Sequence, residues 1–125
     1  MKRILVVGVI GACSSVYAGE RLSNEEMKEF FTDKTLSGVH HKLGPGRSYW
    51  GADGNVRSES DSGKVRVGKW WIDESRNLRC LRWNTKNKDF CHYIERNSDG
   101  SHTLVHGNKG KKLVEFKGSV PGNQL

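Results

Sequence analysis

Short runs of alternating apolar and polar residues, separated by polar breaks, organise most of this chain. The breaks fall at Asp53-Gly54, Ser62-Gly63, Ser75-Arg76, Thr85-Lys86, Asp99-Gly100 and Lys109-Gly110. Between them lie SYWGA, KVRVGKWWI, NLRCLRW, DFCHYIE and HTLVH. Strand-sized segments punctuated about every ten to thirteen residues predict an all-antiparallel β domain. About eight strands fit between Thr35 and Lys117. Short connections make sequential hairpins the simplest topology. A meander of that size removes its exposed edges by closing into a small barrel, with a strongly curved open sheet as the alternative.

One stretch has a different period. In LSNEEMKEFF, Ser23 and Glu26 have the spacing of a capping box, with Leu22 and Met27 as a hydrophobic staple. Acidic residues crowd the first turn, where the helix dipole favours them. Met27, Phe30 and Phe31 fall on one face. This predicts a helix of about nine residues ending near Thr32, too short to persist without docking. The expected fold is therefore mainly β, an antiparallel meander with one short N-terminal helix.

Register follows from placing Cys80 across from Cys91. Arg82 then meets Asp89, and Leu78 meets Tyr93. A turn centred at Ser75 sets Trp70 across from Cys80 and Ile72 across from Leu78. Alternation of side chains gives an interior face of Gly68, Trp70, Ile72, Leu78, Cys80, Cys91 and Tyr93, with Trp70 packed on the disulfide. The outer face receives Lys69, Trp71, Arg79, Leu81, Trp83, Phe90, His92 and Ile94, with Trp71 positioned for a cation–π contact with Arg79. That face is too apolar for an ordinary solvated surface. Either the helix lies on it, or an external partner does, or the register is off, since a slip of one residue would invert every assignment. Tyr49 and Trp50, just before the Asp53-Gly54 turn, are placed near the barrel mouth. The candidate binding residues are thus Tyr49, Trp50, Trp71, Arg79, Trp83 and His92.

The first eighteen residues read as an address. Lys2 and Arg3 precede an apolar run, and Val16 and Ala18 are small residues before Gly19, as in a secretory signal peptide. The run is too short to span a bilayer. Residues 19–125 then form a single β-rich domain, periplasmic or secreted. Two other readings of the segment are a buried N-terminal strand and a lipobox at Ile10-Gly11-Ala12-Cys13, which would anchor the protein through Cys13. Cleavage after Ala18 leaves Cys80 and Cys91, an even pair whose natural state outside the cytoplasm is a disulfide. Closing that loop is worth about 3 kcal/mol, a useful supplement when only 34% of residues are hydrophobic.

Charge adds a further clue. The chain carries a formal net charge of +7, and its bases concentrate after Lys64. Such asymmetry predicts attraction to anionic surfaces. No nucleic-acid module accompanies it, so specific nucleic-acid recognition is not expected.

The usual chemistry-bearing patterns are missing. GxSxG, HExxH and phosphate-cradling loops do not occur. His102 and His106 would lie about 13 Å apart along a strand, and the neighbours His40 and His41 would point to opposite sides. Carboxylates are scattered on turns. No catalytic residue, metal site or cofactor is expected.

The spaced Gly68, Trp70, Cys80, Trp83 and Cys91, together with LSNEEMKEFF, YWGADGNVR, FCHYIE and the tail PGNQL, resemble a family of small exported bacterial domains of unknown function. The likeness spans nearly all of residues 19–125. Trp71 departs from the pattern, standing where the family would place a polar residue. The resemblance implies export and a helix joined to a β-rich domain. The functional expectation is an exported, non-enzymatic binding domain for a partner or an apolar or anionic envelope ligand. The alternative is a periplasmic inhibitor or immunity-type protein that blocks a toxin or host enzyme.

Overall fold

The structure is a computed structural model describing residues 19–125. The expected signal peptide, residues 1–18, and the lipidation alternative at Cys13 lie outside the described residues. No helix among the described residues is long and apolar enough to cross a membrane.

Eight antiparallel strands close into a barrel in sequence order: β1 (Lys34–His40), β2 (Gly44–Trp50), β3 (Asn55–Ser60), β4 (Val65–Asp73), β5 (Leu78–Trp83), β6 (Phe90–Arg96), β7 (His102–His106) and β8 (Lys112–Pro121). β8 pairs back onto β1, so no strand edge among the described residues remains unpaired. Two inward glycines permit the tight coiling. A Cβ on Gly68 would stand 2.2 Å from the Arg82 carbonyl oxygen, and one on Gly38 would stand 2.4 Å from that of Glu115. Gly38 also marks a register shift in the β1–β8 pairing, where a bulge sharpens the bend.

The expected capping box forms. Ser23 Oγ accepts from the Glu26 amide at 3.2 Å, and Glu26 Oε1 accepts from the Ser23 amide at 2.8 Å. Helix α1 (Asn24–Phe31) follows and is capped at Thr32. It does not lie on the outer Trp71 face. Instead it plugs one end of the barrel, with Met27 and Phe31 fully buried. The Phe31 ring sits 4.7 Å from Trp50, 6.0 Å from Trp70 and 6.1 Å from Phe116. Polar ties fix the plug to strand ends: Arg96 bonds Glu26, Lys28 bonds Glu74 at 2.5 Å, and Asn24 Nδ2 donates to the Glu74 carbonyl at 2.9 Å.

Cys80 does pair with Cys91 and is bonded to it. Arg82 Nε reaches Asp89 Oδ1 at 2.7 Å, in the register expected for β5 and β6. The β4–β5 hairpin departs from expectation by one residue. It joins Asp73 to Leu78 through the four residues 74–77, with Asn77 in the left-handed region at φ 55°. The Asp73 carboxylate closes this turn by accepting from Ser75 Oγ at 2.9 Å and Arg76 Nε at 2.7 Å.

A one-residue slip inverts faces. β4 keeps its expected orientation, with Gly68, Trp70 and Ile72 inward and Lys69 and Trp71 outward. β5 and β6 are reversed: Arg79, Leu81, Trp83, Phe90, His92 and Ile94 face the interior, while Leu78, Cys80, Cys91 and Tyr93 lie outside. Trp70 therefore does not pack on the disulfide. It stands across from Leu81, and its indole donates to the Gly51 carbonyl at 2.9 Å. Trp71, 38% exposed, is the residue opposite Cys80. The expected Trp71–Arg79 contact is replaced by Arg79 stacking inside, 4.8 Å from the Trp50 ring centroid and 5.4 Å from that of Phe31.

Candidate ligand cavity

Above the aromatic plug the barrel is not filled. Its interior holds a cavity of about 290 Å³, at the lower edge of the range of small-molecule sites. Inward positions of the strands form its walls: Leu36, Leu81, Phe90, Leu104 and Phe116 are apolar, and Ser48, Ser58 and Ser60 add hydroxyls. Trp50 contributes to the floor, with its indole nitrogen occupied by Ser48 Oγ at 2.8 Å. The opening lies at the end opposite α1. There the β1–β2 turn, through His41, Lys42 and Leu43, and Lys86 of the β5–β6 loop reach the lining.

The polar groups facing this space are overwhelmingly cationic or neutral. Arg79 is 1% exposed. Its Nη2 donates to His92 Nδ1 at 2.5 Å, while its Nε is buried without any hydrogen-bond partner. Burial pushes the guanidinium down to about 9, which leaves it charged at neutral pH. Among the described residues no carboxylate bonds it. Among the described residues Glu59 is the one acid in the lining. Its carboxylate is held by Arg57 Nε at 2.7 Å, at strand positions alternate to the inward Val56 and Ser58.

Burial, and then the Arg79 charge, push His92 down to about 2. It is a neutral imidazole that accepts from Arg79 through Nδ1, so its proton resides on Nε2. Near the mouth, Arg66 lies 4.2 Å over the Trp83 ring centroid, and burial lowers its pKa. His40 is pushed down to about 4, chiefly by burial. Its Nδ1 accepts from the Lys42 and Leu43 amides at 3.0 and 3.2 Å, which pins the mouth turn. His41 stacks on it with centroids 4.7 Å apart, rather than pointing away as two strand neighbours would.

Charge is distributed along the barrel axis. The four mouth loops, residues 41–43, 61–64, 84–89 and 107–111, carry six lysines against two acids. At the plugged end, residues 19–33 and the turns 51–54, 74–77 and 97–101 carry eight acids against three bases. The sequence asymmetry is thus a polarity between the two ends of the barrel.

Four of the six candidate residues converge on this cavity: Trp50, Arg79, Trp83 and His92 all line it. Trp50 sits at its floor rather than near the mouth. Tyr49 points outward, its hydroxyl donating to Asp33 Oδ1 at 2.6 Å. Trp71 is on the outer surface. Arg66 and His40 were not anticipated as lining residues. The signal for Arg66 was present, since it shares strand parity with Gly68, Trp70 and Ile72.

Fold and cavity together define a small eight-stranded antiparallel barrel, plugged by a helix at one end and open through a lysine-rich rim at the other. No protein-family model, curated protein or solved structure matches the chain.

Proposed function

We propose that this protein is an exported, non-enzymatic binding domain that takes a small, largely apolar ligand with an anionic group into its barrel. One observation carries the reading: an apolar cavity that ends on a buried guanidinium with no acidic partner. A lone buried cation is costly to fold, and an anionic ligand would supply the missing charge. The lysine-rich rim supports the same reading by raising the local concentration of anions at the opening. The Cys80–Cys91 disulfide and the basic, apolar N-terminal segment support export to the periplasm or beyond. Of the residues that carry the resemblance, Gly68, Trp70 and Trp83 shape the interior and the two cysteines staple its wall.

Native mass spectrometry of protein recovered from its own compartment tests the proposal. A retained small-molecule mass is expected, diminished by Trp83→Ser in the cavity wall and indifferent to Trp71→Ser on the outer surface. An empty barrel that also takes up no amphiphilic anion in vitro would overturn it.

A further inference from the structure

We infer that the ligand is a single-chain monocarboxylate of about eight carbons, bound with its carboxylate inward on Arg79 and its tail toward the mouth. This rests on the cavity-binding reading above and adds the head group, the orientation and the size.

The orientation follows from comparing the two inward arginines. Arg66 sits near the opening with one face already covered by Trp83, and solvent competes for any anion placed there. Arg79 is 1% exposed at the inner end of the cavity, carries an unmatched Nε, and lies between Trp50 and Phe31. A carboxylate reaching it gains charge-assisted hydrogen bonds in a low-dielectric surrounding where water competes less than at the mouth. The Arg79–His92 pair is also one-sided. Neutral His92 accepts from the guanidinium but brings no negative charge to balance it.

The head group follows from charge matching. One buried cation is neutralised by a monoanion. A dianionic phosphomonoester would leave surplus negative charge among Leu36, Leu81 and Leu104, which is strongly disfavoured. The planar guanidinium also matches the planar carboxylate. The size follows from volume. At ~30 Å³ for each water-sized group, about 290 Å³ accommodates roughly ten non-hydrogen atoms, as in octanoate. A wall of leucine and aromatic side chains suits the alkyl portion, and the rim lysines are left for the approach rather than the seat.

Isothermal titration of the disulfide-bonded protein with octanoate and 1-octanol tests this, because the pair differs only in the head. Octanoate is expected to bind at least about 100-fold tighter than 1-octanol. Arg79→Met should abolish that preference, while Arg66→Met should change octanoate affinity by no more than about threefold. A second measurement on the unaltered protein guards against a variant that fails to fold: the ¹⁵N–¹H resonance of Arg79 Nε should shift with octanoate and stay put with 1-octanol. Equal affinity for the two probes, or loss of octanoate in Arg66→Met with retention in Arg79→Met, would overturn the head-inward carboxylate while leaving the cavity-binding reading standing. Failure of every C6–C12 carboxylate and alcohol to bind would remove both.

Discussion

The two ends of this barrel are built from the same strands to opposite effect. At the plugged end, Phe31 and Met27 are fully buried among Trp50, Trp70 and Phe116, and ion pairs surround them: Glu26 with Arg96, Lys28 with Glu74, Asp73 with Arg76. Toward the mouth, the interior is left open, Arg79 is buried without a carboxylate among the described residues, and lysines outnumber acids in the surrounding loops. Stability is concentrated where the helix docks. The region above it departs from the rules that would stabilise it, and such departures are where function is expected.

The contrast is broken most severely by emptying the plug. Phe31→Ala removes a fully buried ring from the centre of the aromatic cluster and should cost about 3–5 kcal/mol, read as a lower denaturant midpoint at unchanged slope. The staple is next. Replacing Cys80 and Cys91 together with serine should cost about 3 kcal/mol. Because the bond lies outside the barrel, octanoate binding by the variant that remains folded should be unchanged.

A pH series separates the ends further. His92 has an ordinary value of 6.5 in the unfolded chain and about 2 when folded. Below 6.5 the unfolded chain takes up a proton that the folded one refuses, so stability falls as pH falls through that window. Between pH 7 and pH 5 this contributes about 2 kcal/mol of destabilisation. His40, lowered to about 4, acts in the same direction. The carboxylates of Glu26 and Asp73 at the plug have lowered values, so their contribution is lost only near and below pH 4. His92→Gln should make the upper part of the profile shallower, leaving the share that His40 and His102 contribute, and leave the acid limb in place. The smallest effect belongs to the helix cap, where Ser23→Ala should cost about 1 kcal/mol with no change in the cavity.

How much of this was legible in the sequence depends on the range of each interaction. The capping box and the end of α1 are local, and they form as the spacing indicated. The Cys80–Cys91 pairing is covalent, and it carried the β5–β6 register with it. The β4–β5 turn was not legible, because Ser75-Arg76 is compatible with hairpins of different lengths. The Asp73 carboxylate and a left-handed Asn77 select the four-residue form.

The faces of β5 were ambiguous for a related reason. Both parities of LRCLRW carry apolar residues, and five of its six positions are buried. Cys80 is covered from outside, where Arg76 Nη2 approaches its sulfur at 3.9 Å and that of Cys91 at 3.5 Å. Hydrophobicity alone could not choose, and it argued against putting Arg79 inside. Only the closed barrel, with space above a helix plug, makes a buried arginine intelligible. Trp83 and His92 entered the candidate set for an outer surface and reach the site through the opposite face.

The most direct test compares the unfolding free energy of ligand-free Arg79→Met with that of the unaltered protein. A guanidinium kept for an absent anion is a burden to the empty barrel, so its replacement by an apolar side chain of similar reach should raise stability by about 1–3 kcal/mol. A loss of similar size would mean that Arg79 is a structural strut, satisfied by Trp50, Phe31 and His92, and would contradict the account.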